Sequence, residues 1–234
     1  AKKFGLGEKV LGEYFDNEKS GLFPNTDWKK NNLGRGWVLG ETLITGIGQG
    51  YTQTTPLQLC LMTAQIANGG YKIKPKIIVN NNPLSIEDAK ISMELQSLQT
   101  PHTKLFNDQK NIKIVQEAMF SSTNEQYGTS YKSRIDDPKY QFAGKTGTAQ
   151  VKRISMRERE LDLKLEQIPY KDRDHALYVA YGPYKNPRYA LSIIVEHGGS
   201  GSKAAAPMAK ELFKLIIDRH DLRDKQTNFE NINI

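Results

Sequence analysis

Between Tyr140 and His197 the chain carries three strand-like runs, Tyr140 to Val151, His175 to Tyr184 and Tyr189 to His197. The last two are separated only by Lys185-Asn186-Pro187-Arg188. A connection that short makes a hairpin, because parallel neighbours need a crossover of a dozen or more residues. After Gly198 and Gly199 a helix enters through Ala204 to Pro207 and continues to about Arg219, with Met208, Leu212, Leu215 and Ile216 as its apolar stripe. Pro207 must lie in its first turn, where a missing N–H does no harm. Helices, then strands, then a closing helix predict an α+β domain with an antiparallel sheet and flanking helices.

Upstream, the clearest element is a helix over 56–68. Thr55 is a good N-cap, Pro56 suits the first helical position, Gln58 completes a capping box, and Asn68-Gly69-Gly70 supplies a left-handed stop. Leu57, Leu61, Ala64 and Ala67 line one face with Cys60 beside it, which predicts burial on that side. The preceding glycine loop, Gly46 to Gly50, lacks the strand-loop-helix context of a nucleotide site and reads as a tight turn. Before it, the stretch to Leu39 is rich in Gly, Asn and Pro and predicts a long irregular surface segment pinned by Trp28 and Trp37. Tyr71 to Val79 reads as a short strand, Asn80 to Thr103 is polar without a clear period, and Ile112, Val115 and Met119 mark a helix from about Asn111 to Phe120. The layout is a loop-rich and helical part over about 1–120, a sheet and closing helix over about 121–220, and a polar tail over 221–234 expected to fray. Ala1 to Val10 show neither an initiator Met nor an export signal, which predicts a piece excised from a longer chain.

The composition narrows the function. With 234 residues the chain needs neither disulfide nor metal to fold, and its single cysteine, Cys60, excludes an internal disulfide and any multi-cysteine zinc site. No apolar run approaches the roughly 20 residues of a membrane helix. The net charge of +7 is scattered. Even the densest stretch, Lys152 to Asp174, interleaves seven basic with six acidic residues, whereas a phosphate-binding face would show same-sign clustering with stacking aromatics, so it reads as a solvated helix or mobile loop and not as a nucleic-acid face. His102, His175, His197 and His220 are not spaced as metal ligands. His175 opens a strand after Asp174, where a structural hydrogen bond is the preferred reading.

The chemistry concentrates in Ala143-Gly144-Lys145-Thr146-Gly147-Thr148-Ala149-Gln150. A phosphate-binding P-loop would need glycine at position 139, where Lys139 stands. The surviving reading is the lysine-threonine-glycine strand of serine acyl-transfer enzymes that bind penicillin. On a sheet edge beside a cleft, Lys145 offers a cation, Thr146 and Thr148 offer hydroxyls to a substrate carboxylate, and Gly147 lets an acyl group approach the backbone. An edge strand also offers unpaired backbone groups along which a peptide can lie.

The surrounding motifs agree. Phe4-Gly5-Leu6-Gly7, Gly21-Leu22-Phe23-Pro24, Trp37 with Gly40-Glu41-Thr42, Gly46-Ile47-Gly48-Gln49-Gly50-Tyr51, Thr55-Pro56-Leu57-Gln58-Leu59, Asp174-His175-Ala176-Leu177, and Glu196-His197-Gly198-Gly199 before Ala204-Ala205-Ala206-Pro207 stand in a familiar order and spacing. From residue 1 to about 219 the chain resembles the transpeptidase domain of class B penicillin-binding proteins, and among them the penicillin-binding protein 2 group that crosslinks peptidoglycan during elongation of rod-shaped bacteria. The resemblance implies the penicillin-recognising serine-transferase fold and a D,D-transpeptidase. It implies peptidoglycan stem peptides and β-lactams as ligands, no cofactor, a membrane glycosyltransferase of the elongation complex as partner, and a periplasmic site on a membrane-anchored parent.

By position, the resemblance makes Lys145 the partner of a Ser-x-Asn serine and a guide for the substrate carboxylate. Thr146 and Thr148 would bond that carboxylate, Gly147 would admit the acyl group, and the Thr148 N–H would be one oxyanion donor. In such enzymes the nucleophile lies in a Ser-x-x-Lys motif, and both that motif and Ser-x-Asn precede the segment matched by Phe4. Two matches occur here out of order. Ser200-Gly201-Ser202-Lys203 follows the Lys145 strand, and Ser122-Thr123-Asn124 ends a helix. Ser200 or Ser202 is expected to be a helix cap and Ser122 a helix terminus. The chain should then be the C-terminal half of the domain, inactive alone, with the nucleophile on a missing N-terminal half. A division-specific paralogue and a non-catalytic module that binds D-Ala peptides or β-lactams are the alternatives.

Overall fold

A computed structural model describes residues 1–12, 14–77, 103–152, 160–161 and 163–232, without the side chains of 224–232. The polar stretch expected over Asn80 to Thr103 and the central part of Lys152 to Asp174 lie largely outside these residues. The chain divides into two compact units, Ala1–Lys110 and Asn111–Ile234.

Among its described residues the first unit has the helices α1 (Thr26–Leu33), α2 (Leu39–Gly46) and α3 (Pro56–Ala67). The cap expected at Thr55 is present. Its hydroxyl accepts from the Gln58 N–H, and the Gln58 carboxamide oxygen accepts from the Thr55 N–H. Gly69 and Gly70 follow the helix with positive φ, as the stop requires.

The buried face of α3 is different from the one expected. Gln58, Thr63, Gln65 and Ile66 are buried, while Leu57, Cys60, Leu61, Ala64 and Ala67 are half-exposed. The physical reason is that this helix organises loops, whose backbone carbonyls need donors. The Gln58 amide donates to Glu8 O and Ser20 O, both at 2.7 Å. The Gln65 amide donates to Phe4 O at 3.0 Å, and its oxygen accepts from the Ile73 N–H at 3.1 Å.

The segment expected to be irregular up to Leu39 contains α1, because Asn25 caps it by accepting from the Trp28 N–H at 2.7 Å. Trp28 packs on Tyr51, and the Trp37 indole donates to the Thr42 hydroxyl at 2.8 Å. Helix α2 went unforeseen because Gly40, Thr42, Thr45 and Gly46 are poor helix formers. Glu41 rescues its start by accepting from the Val38 N–H and pairing with the buried Lys29 ammonium at 2.6 Å. That ammonium holds the Glu41 carboxyl below the usual carboxylate range. Tyr71 makes only an isolated bridge to Lys104, and no strand extends over the described part of Tyr71 to Val79.

The second unit contains α4 (Lys110–Asn124) and a three-stranded antiparallel sheet, β1 (Ala143–Ala149), β2 (His175–Gly182) and β3 (Tyr189–Val195), in the order β1-β2-β3. A π-helical turn, Gly201–Ala205, leads into α5 (Ala206–Ile232). The strands are shorter than the runs that predicted them. Helix α4 runs four residues past Phe120 and buries Ile112, Met119 and Thr123, whereas Val115 is exposed. The core gathers Ile135, Phe142, Tyr178 and Ala180 with Ala205, Ala206, Ala209, Phe213 and Ile217.

The apolar stripe expected for the closing helix is therefore corrected. Met208, Leu212 and Leu215 are 49%, 40% and 62% exposed, and the small side chains of Ala206 and Ala209 set the inward face, with Phe213 stacked on Phe142. Small residues let the helix approach the sheet closely enough for one large ring to fill the gap. Pro207 does lie in the first turn, and the helix continues beyond His220, where fraying was expected.

Candidate active site

Among the described residues strand β1 pairs only with β2, from Ala143 opposite Tyr181 to Ala149 opposite His175, which puts it at the sheet edge expected for the motif. Lys145 and Thr148 are exposed and Thr146 and Gly147 half-buried, so all four predicted site residues can be reached from solvent. The Lys145 ammonium donates to Thr146 O at 2.9 Å and to Thr146 Oγ1 at 3.3 Å. A cation and a hydroxyl thus stand together at the edge, an arrangement that suits a carboxylate.

The two glycines of the motif differ in kind. A Cβ on Gly144 would stand 2.4 Å from the Tyr178 hydroxyl and 2.5 Å from its Cζ, so this glycine exists to let a buried ring pass. A Cβ on Gly147 would meet only Leu177 Cβ at 3.3 Å. The opposite packing constraint falls on Gly201, whose Cβ would stand 2.4 Å from Leu177 O and 2.8 Å from Gly147 O. The turn bearing Ser200 and Ser202 is thereby seated on the backbone of β1 and β2.

Beneath the strand lies a hydroxyl cluster that the sequence analysis missed. Tyr178 is fully buried, and its hydroxyl contacts Thr123 Oγ1 at 2.9 Å and Ser130 Oγ at 3.0 Å. Ser130 donates to Ser122 O at 3.0 Å, and Thr123 reaches Gly144 O at 3.5 Å. Burial pushes the Tyr178 phenol up, with the two hydroxyl contacts opposing that shift. At the surface, Thr129 Oγ1 lies 3.3 Å from both Thr146 Oγ1 and Ser122 Oγ. Asn124 donates to Phe120 O and Phe142 O. The end of α4 is thus fastened to the strand that carries Lys145. Only an unpatterned row of Ser and Thr from 121 to 130 hinted at this, and such a row has no period to read.

The out-of-order serines behave as structural residues. Ser122 sits in the last turn of α4, and Ser200 begins the π-helical turn, its carbonyl accepting from the N–H groups of Lys203 and Ala204. The Ser200 hydroxyl does not cap that turn and lies 3.0 Å from the Ser202 hydroxyl. His175 has the structural bond expected of it, accepting at Nδ1 from the His197 N–H at 2.9 Å. His197 Nδ1 in turn must carry a proton, since it meets the Arg173 carbonyl at 2.9 Å. Asp174 accepts from the Val151 N–H and, through its carbonyl, from the Gly199 N–H, tying the end of β1 to the loop before β2. Among the described residues no group of His, Cys, Asp and Glu could hold a metal ion, and no helix is long and apolar enough to cross a membrane. His102 lies outside them.

Comparison with known proteins agrees with the motifs. Residues 1–214 match the family model described as the penicillin-binding protein transpeptidase domain. A peptidoglycan D,D-transpeptidase MrdA of Salmonella typhimurium is 33% identical over 216 residues, which cover 92% of this chain and 33% of that protein. The chain spans about a third of the length of the curated relatives it matches. Penicillin-binding protein 2 of Helicobacter pylori, solved in complex with MreC, superposes with a TM-score of 0.69 at 32% identity, covering 92% of this chain and 35% of that one. Penicillin-binding protein 2 of Pseudomonas aeruginosa, solved with WCK 5153, gives 0.68 at 34% identity, covering 92% and 42%. The family match, the α+β sheet and the exposed lysine-threonine-glycine edge lead to one conclusion: the chain belongs to the penicillin-binding protein transpeptidase family.

Proposed function

We propose that this chain supplies one wall of the active site of a penicillin-binding protein 2 type D,D-transpeptidase that crosslinks peptidoglycan in elongation, on the periplasmic side of the inner membrane. The observation that carries the reading is the edge strand β1, which presents Lys145, Thr146, Gly147 and Thr148 to solvent. Lys145 and the hydroxyls of Thr146 and Thr148 bind the terminal carboxylate of a D-Ala-D-Ala stem peptide, and the peptide backbone adds to the free edge.

The nucleophile is a serine of a Ser-x-x-Lys motif outside these residues. Its oxygen attacks the penultimate D-Ala carbonyl, and the Thr148 N–H stabilises the oxyanion. The C–N bond breaks and D-Ala leaves with a proton. An amine of a neighbouring stem peptide then attacks the ester, takes the acyl group and returns the serine. Penicillins occupy the same edge and leave a slow acyl-enzyme. The partners in this reading are stem peptides, β-lactams, the complementary N-terminal half of the domain and, through the parent protein, the glycosyltransferase of the elongation complex.

The test is mass mapping of the full-length protein after exposure to a β-lactam. One adduct on a Ser-x-x-Lys serine, lost on competition with a D-Ala-D-Ala peptide, is the expected result. An adduct that forms equally well in Lys145→Ala refutes the role given to β1. A protein that binds the peptide reversibly without ever forming an adduct is the binding module instead.

A further inference from the structure

A second site is carried by the first unit, and it depends on neither the lysine-threonine-glycine strand nor the transpeptidase reading. A cavity of about 870 Å³ opens there, and among the described residues its lining brings together Lys2, Lys3, Lys9, Lys72, Lys74 and Lys104 with Glu8 as the one acid. That volume falls in the range of small-molecule sites, roughly 300–1,000 Å³. The lysines come from three separate stretches, and the fold fixes all three. Buried Gln65 holds the first to the second through Phe4 O and the Ile73 N–H. The second and third are zipped by Lys72 N to Thr103 O and Leu105 N to Gly70 O, both at 2.8 Å.

Among the described residues Lys2, Lys3, Lys9, Lys72 and Lys104 have no acidic partner. Lys9 donates to the neutral carbonyl of Asp16, and Lys3 lies 5.2 Å from the Phe106 ring centre. Six lysines around one cavity raise the positive potential there, so a bound anion is favoured. Lysine is a point-charge binder of phosphate, and several of them match a group with several charged oxygens. The wall also carries apolar side chains, Leu11, Leu61, Ile73 and Leu105 among them, beside the polar Gln65 and Thr103.

We infer that this cavity binds a phosphate-type anion carrying an apolar group. Two sources share that chemistry, a phospholipid headgroup and a free phosphorylated compound, and the test separates them. Calorimetric titration of the full-length protein uses dihexanoyl phosphatidylglycerol below its micelle concentration, the zwitterionic phosphatidylcholine of the same chain length, and inorganic pyrophosphate. Phosphatidylglycerol should bind and phosphatidylcholine should not. Pyrophosphate binding of equal strength assigns the site to free phosphates, and its absence assigns it to the lipid. In K72Q/K104Q the binding should weaken roughly a hundredfold, the scale of two lost charge-assisted contacts at about tenfold each. The control K132Q/K185Q, the same charge change on exposed lysines of the second unit, should stay within about twofold. If K72Q/K104Q loses its circular dichroism signature, K2Q/K104Q replaces it. Equal affinity for both lipids, no binding of any anion, or equal weakening in site and control variants overturns the inference.

Discussion

Replacing Gly144 and Gly147 one at a time by alanine separates what the strand needs to fold from what it needs to react. Neither glycine has a positive φ, so alanine fits the backbone at both and the difference lies in space alone. At Gly144 the new methyl would stand 2.4, 2.5 and 2.8 Å from Oη, Cζ and Cε1 of Tyr178. That ring cannot step aside, because it is edge-on to Phe142 and its hydroxyl is held by Thr123 and Ser130. Overpacking costs typically 1–3 kcal/mol, and three contacts under 3 Å on a pinned ring put Gly144→Ala near the top of that range, about 3 kcal/mol. For a protein of this size that is a fall in Tm of roughly 6–12 °C. Tyr178→Phe does not rescue it, since the carbon contacts remain. At Gly147 the methyl meets one Cβ at 3.3 Å, a contact relieved by a few tenths of an ångström, so Tm should shift by less than about 2 °C. An acyl group pressed back by that methyl is displaced on the order of 1 Å, which costs roughly 10²-fold in acylation. Thermal unfolding and the rate of penicillin labelling are measured on both variants of the full-length protein. A Gly144→Ala protein as stable as the parent, or a Gly147→Ala protein that acylates normally, refutes the assignment of one glycine to packing and the other to substrate.

Lys145→Ala should leave unfolding nearly unchanged and slow acylation about ten- to a hundredfold, the loss of one charge-assisted bond of roughly 1.5–3 kcal/mol; lost folding with normal acylation would make Lys145 structural. Thr148→Ala should cost about 1 kcal/mol of acylation barrier and Thr148→Pro a further 2.7–4 kcal/mol or so, because only proline removes the N–H, and equal rates in two folded variants would exclude an oxyanion donor there. Tyr178→Phe and Thr123→Val should each destabilise by about 1–2 kcal/mol and combine with a coupling energy of at least about 0.5 kcal/mol in unfolding measurements, while strict additivity would mean the two hydroxyls act apart. Asp218 is held below the ordinary carboxylate range by bonds from Lys139 and then Tyr140, so its stabilisation is present above about pH 4 and lost as pH falls through the lowered value; Asp218→Asn should flatten that acid limb in pH-dependent unfolding, and an unchanged limb would refute the linkage.

How legible these features were depended on whether the signal was local. The capped helix at Pro56 was readable because cap, proline and stop all lie within sixteen residues of sequence. The hairpin of β2 and β3 was readable because a four-residue link leaves one topology. The edge position of Lys145 was expected from the lysine-threonine-glycine motif, whose groups can meet a substrate only on an open strand. What escaped were choices made by the partner surface. Helix α5 packs through Ala206, Ala209, Phe213 and Ile217 and leaves Met208, Leu212 and Leu215 exposed, because the depth of the sheet decides which face can approach. Helix α3 buries glutamines because it meets bare loop carbonyls. The Tyr178 cluster joins residues 55 and 48 positions apart, and no window of sequence shows that they will meet.

The central claim is that these residues form the lysine-threonine-glycine wall of a penicillin-reactive site whose nucleophile lies elsewhere. Fluorescent penicillin is added to this chain alone, and to this chain recombined with a segment bearing the Ser-x-x-Lys and Ser-x-Asn motifs. The account predicts no covalent band on the chain alone and a stoichiometric band on the serine of the added segment, formed about ten- to a hundredfold more slowly when Lys145→Ala replaces the parent chain. A stoichiometric label on Ser122, Ser200 or Ser202 of the chain alone would contradict it.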